Sequence, residues 1–182
     1  EQQQNYLPGV PEGSDLCITP VSAPENHYVR IKADNRLEAD GTLRGTFTLT
    51  AEGQSDSNIR RIFTTGFQSE WKSTMERQLL AISPKARLLS VDYGKNPKDY
   101  QAAPIKITFR YEIPDYALKG EGEMFFRPMV MNNLYNQVRS YMWIDTSVEN
   151  RKYGFKDACS RLVELDETVQ LPAGYKLVSA VK

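Results

Sequence analysis

From residue 27 onward the chain alternates. His27, Val29, Ile31 and Ala33 stand apart from Tyr28, Arg30 and Lys32 at a period of two, the pattern of a half-buried strand. Asp40-Gly41 supplies a turn. Leu43, Gly45, Phe47, Leu49 and Ala51 then share one face, and Arg44, Thr46, Thr48 and Thr50 the other. An apolar side opposite a polar one predicts an antiparallel strand with one solvated face. The most regular strand lies further on, where Ile105, Ile107, Phe109, Tyr111 and Ile113 alternate with Lys106, Thr108, Arg110 and Glu112 until Pro114-Asp115 stops it. Shorter strands are predicted at Leu89, Val91 and Tyr93, and from Glu123 to Phe126. Near the end come 162–165 and 168–171, a Pro172-Ala173-Gly174 turn, and a last strand through Tyr175, Leu177 and Ser179.

Between residues 55 and 82 the period changes. Ser55 is an N-cap candidate with Asp56 in the first turn, and Ile59, Ile62 and Phe63 recur at helical spacing up to Gly66. Phe67, Trp71, Met75, Leu79 and Ile82 continue at steps of four and three until Ser83-Pro84. Two helices, or one broken at Gly66, would lay this stripe on the sheet. The segment 129–144 reads as helix or strand. Residues 1–26, punctuated by Pro8, Gly9, Pro11, Gly13, Pro20 and Pro24, form an irregular proline-rich arm or linker. The expected fold is mainly β, a sandwich-like antiparallel sheet with a two-helix insert, or α+β, with 27–182 as a single β-rich domain.

Composition removes several classes of function. Lys plus Arg and Asp plus Glu number 23 each in 182 residues, so the net charge is zero and the cationic excess of a phosphate-binding surface is missing. Nucleic acid is not an expected partner. No stretch approaches the ~20 apolar residues that span a bilayer. The polar opening Glu1-Gln2-Gln3-Gln4-Asn5 lacks an initiator Met and the order of a signal peptide, so a fragment or processed product is expected. Cys17 and Cys159 are compatible with one long-loop disulfide or with two reduced thiols.

The search for chemistry is mostly negative. His27 is the only histidine, and its place in phase with Val29 and Ile31 reads as a core-edge residue rather than the base of a triad with Cys17. One His and two distant Cys do not supply a zinc ligand set, and no cofactor is implied. Glu121 and Glu123 are read as sharing one side of a strand, and Asp166-Glu167 as a turn; either could supply paired carboxylates, though solvated charge explains them as well. Arg36 and Glu38 break any calcium-loop alternation after Asp34, and no phosphate loop or dinucleotide fingerprint is present. Tyr135, Tyr141 and Trp143 remain as candidate binding residues, able to stack on a sugar or partner if exposed, or to fill the core if not.

Several segments resemble a known family. Glu1 to Gly13 with Asn26-His27-Tyr28, then Ala39 to Gly45, Ala51-Glu52-Gly53-Gln54, Arg60-Arg61 and Leu171-Pro172-Ala173-Gly174-Tyr175-Lys176, are similar to the region just downstream of the catalytic core in Bacteroidetes transglutaminase-like proteins. The resemblance implies a C-terminal β-rich domain of unknown function, secreted or in the periplasm or cell envelope. It places the papain-like Cys-His-Asp triad upstream of Glu1, so no catalytic residue carries over. In that family a further strand region follows the Leu-Pro-x-Gly-Tyr motif, and its absence from this sequence is expected to leave the last strand without a sheet partner. The expected role is a non-catalytic accessory domain whose partner is the upstream catalytic domain of the same chain. The competing readings are a glycan- or peptide-binding module and a carboxylate hydrolase.

Overall fold

A computed structural model describes residues 2–102, 104–130, 150, 152 and 159–179. The fold is α+β. Two short strands, β1 (Asn5–Tyr6) and β2 (Cys17–Ile18), precede β3 (Tyr28–Leu37), β4 (Leu43–Ala51), α1 (Gly53–Thr64), α2 (Trp71–Leu80), β5 (Arg87–Asp92), β6 (Ile105–Ile113), β7 (Leu118–Lys119), β8 (Met124–Phe125) and β9 (Leu162–Gln170). The main sheet has the order β5-β6-β4-β3-β9.

The three long strands predicted from alternation pair as a continuous antiparallel block. Val29 faces Ala51, which faces Ile105, and Leu37 faces Leu43, which faces Ile113. This register puts every apolar position of the three strands on one face, because a slip of one residue would turn them all to solvent. Phe47 and Phe109 stack there with ring centroids 4.3 Å apart. The opposite face is polar. Arg30 pairs with Glu164, Arg44 and Arg87 both reach Glu112, and the Thr48 and Thr108 hydroxyls lie 3.1 Å apart. Such exposed ion pairs are screened by solvent and add little to stability. The stability resides in the other face, where a fully buried Ile or Phe contributes about 1.5–3 kcal/mol.

Three features of the sheet depart from the expectation. First, β9 runs parallel to β3, with Tyr28 opposite Leu162 and Arg36 opposite Gln170, so the sheet is mixed rather than wholly antiparallel. Second, 162–170 is one uninterrupted strand. Asp166 and Glu167 form no turn, and they point to opposite faces. Third, a bulge between Leu88 and Ser90 shifts the phase of β5. Leu88 and Val91 pack on the core while Leu89 is exposed, which an unbroken Leu89, Val91, Tyr93 alternation does not anticipate.

The helical insert covers the apolar face. On α1, Ile59 and Phe63 are buried, and on α2 Trp71, Met75 and Leu79. The Trp71 and Tyr93 rings meet Phe63 edge-on at 5.2 and 5.7 Å. Phe67, expected in the same stripe, is 77% exposed because it precedes the turn that opens α2. The start of α1 also differs. The helix begins at Gly53, and Ser55 points its hydroxyl back to the His27 carbonyl. The cap comes from outside the helix, with the Gln54 amide donating to His27 Nδ1 at 3.1 Å. Gly53 has φ +59, and a Cβ there would collide with Asn26 O and the His27 ring. Only glycine takes this corner without strain.

The arm is not wholly irregular, since Asn5 pairs with Ile18 and Tyr6 with Cys17. Its base is tied to the body by Gln2. That buried amide donates to Ser160 Oγ and accepts from the Ser160 amide, while Ser160 Oγ donates to Ser22 O. Beyond this tether the arm exposes Leu7, Leu16, Ile18 and Val21. Residues 175–179, expected as a strand, carry no strand pairing.

Candidate functional site

Among the described residues, a polar cluster inside the body lies under β3, β6 and β9. The inward phase of β3 runs Val29, Ile31, Ala33, Asn35, Leu37, and all five are buried, so Asn35 is a polar group at an apolar position. The inward phase of β9 likewise runs Val163, Leu165, Glu167, Val169. A buried amide and an inward carboxylate must find partners or cost ~1–3 kcal/mol each. They find each other. Asn35 Nδ2 donates to Glu167 Oε1 at 2.7 Å, and the buried Tyr111 hydroxyl donates to Asn35 Oδ1.

The remaining acceptor capacity of Glu167 goes to backbone. The Met129 amide donates to Oε1 at 3.0 Å and the Val130 amide to Oε2 at 2.8 Å. Three N–H donors on one carboxylate make charge-assisted bonds, which are about twice as strong as neutral ones. The network therefore fastens residues 129 and 130 to the underside of the sheet. Gly45 makes it geometrically possible. It lies between Asn35 and Tyr111 in the cross-strand row, and a Cβ there would overlap Asn35 Oδ1.

The phenols around this carboxylate resist ionisation. Burial, reinforced by the nearby Glu167 charge, pushes the Tyr111 pKa well above the usual phenol range despite the opposing bond to Asn35. The same two causes push Tyr116 up to about 12, and its hydroxyl donates to Arg127 O at 2.7 Å. Chemically the arrangement clamps backbone. The lone pairs of Glu167 are largely engaged by these donors.

A second buried polar group sits at the other end of the sheet. Arg60 on α1 is 2% exposed; its Nε donates to Asp56 Oδ2 at 2.6 Å, and Nη1 to the Pro97 and Asp99 carbonyls at 3.1 and 2.8 Å. Asp56 Oδ1 accepts the Ile105 amide at 2.7 Å. This pair staples the 93–102 loop to α1 and to the start of β6. The cleft beside it, lined by Arg60, Gly94, Lys95, Pro104, Ile105 and Lys106, holds about 280 Å³. That volume is just under the lower end of small-molecule sites, roughly 300 Å³.

Of the residues singled out from sequence, Glu167 lies in this cluster, while Asp166, Glu121, Glu123, His27, Cys17 and Cys159 do not. Tyr135, Tyr141 and Trp143 lie outside the described residues. Glu121 and Glu123 flank an exposed turn between β7 and β8 rather than lining a strand. Asp166 is on the solvated face and Glu167 on the core face, so the two carboxylates cannot act on one bond. His27 Nδ1 is engaged by the α1 cap. Cys17 is unbridged, and its thiol points to the Asp15 carbonyl at 3.6 Å, while buried Cys159 accepts a bond from Gln2. Among the described residues no group of three or more His, Cys, Asp or Glu is arranged to hold a metal ion, and no helix is long and apolar enough to cross a membrane.

Asn35, Gly45, Tyr111, Glu167 and Arg60 were missed as a set. Their signal was present in part: Asn35 and Glu167 interrupt an apolar phase, and Gly45 stands where a large residue is expected.

No family model, curated protein sequence or solved structure matches this chain.

Proposed function

We propose that this chain is a non-catalytic accessory domain that supports or positions a transglutaminase-like, papain-like Cys-His-Asp module lying upstream in the same polypeptide, in a secreted or cell-envelope setting. The observation that carries the reading is a contrast within the molecule. Glu167 and Arg60, two inward charged groups of the body, bond its own backbone, whereas the arm turns Leu7, Leu16, Ile18 and Val21 outward. Large apolar side chains left exposed on an arm are available to a surface that meets another protein.

The test is made on the full-length parent polypeptide. Leu16→Asp with Ile18→Asp should weaken association of the two modules, separated by proteolysis between them, by at least about tenfold, as expected when interface anchors worth over ~1.4 kcal/mol are lost. Unchanged association, or a parent gene with no Cys-His-Asp module before residue 1, overturns the proposal. Glycan binding that Trp143→Ala abolishes would replace it with a binding module.

A further inference from the structure

We draw no further inference here: the strongest candidate, the shallow cleft of about 290 Å³ between α2 and the edge strand β5 lined by Glu76, Leu80, Ala86, Arg87 and Leu88, is an unpartnered surface, and nothing in the structure shows what covers it.

Discussion

Asn35 reaches both Tyr111 and Glu167 only because residue 45 has no side chain. Gly45→Ala is therefore expected to destabilise the domain by about 1–3 kcal/mol, through overpacking and a displaced buried amide. In an Asn35→Ala background the same change should cost distinctly less, and urea unfolding of the four proteins of that cycle measures the difference. Equal costs in both backgrounds would mean that Asn35 is not what Gly45 accommodates. The phenols give a second expectation. Tyr111 and Tyr116 keep their protons in the folded state at pH values where an unfolded tyrosine, with a pKa near 10, has begun to lose its own. Between about pH 10 and 12 the folded state thus binds more protons than the unfolded one, and stability falls as pH rises. Thermal melts across that window should show the loss, and Tyr116→Phe should reduce its slope. A flat profile for the parent protein would contradict the burial of these hydroxyls. The sequence reading gives Asn35 no role and places Glu167 in a turn, and their pairing was not legible at all, since it joins strands over 130 residues apart in sequence.

At the level of elements, a strand or helix here is a sum of local pattern and one or two distant fasteners. The strands β3, β4 and β6 were readable because alternation over nine or ten residues leaves one choice of face. The helices were readable from their 3.6-residue stripe, though their ends were not. His27, 26 residues before Gly53, provides the cap expected of Ser55. Nor did the sequence reveal the Arg60–Asp56 staple, which in an isolated helix would be an ordinary pair at i and i+4. Burial changes its weight. Arg60→Met should cost about 3–5 kcal/mol, because it removes one member of a buried pair and leaves the Asp56 side chain without its guanidinium partner. Hydrogen exchange should show the amides of 93–102 and Ile105 losing protection first. A cost below ~1 kcal/mol, the value of a surface pair, would show that the staple is not tight.

For the whole molecule, the body and the arm obey different rules. Leu16→Ser and Ile18→Ser should each leave the unfolding free energy of the domain within about 0.5 kcal/mol, because both side chains are already exposed. Calorimetry decides this; a loss of ~2 kcal/mol would place the arm in the core and remove its interest as an interface. The chain's pattern of apolar and polar residues by itself determined that this is a strand-rich domain with two helices laid on one face of its sheet. That much is local, written into periods of 2 and 3.6. Only the tertiary structure decided that β9 joins β3 in parallel, that Asp166 and Glu167 part to opposite faces, and that His27 caps a helix. Each of these depends on which distant segments come to lie side by side, and alternation along one strand carries no information about its neighbour.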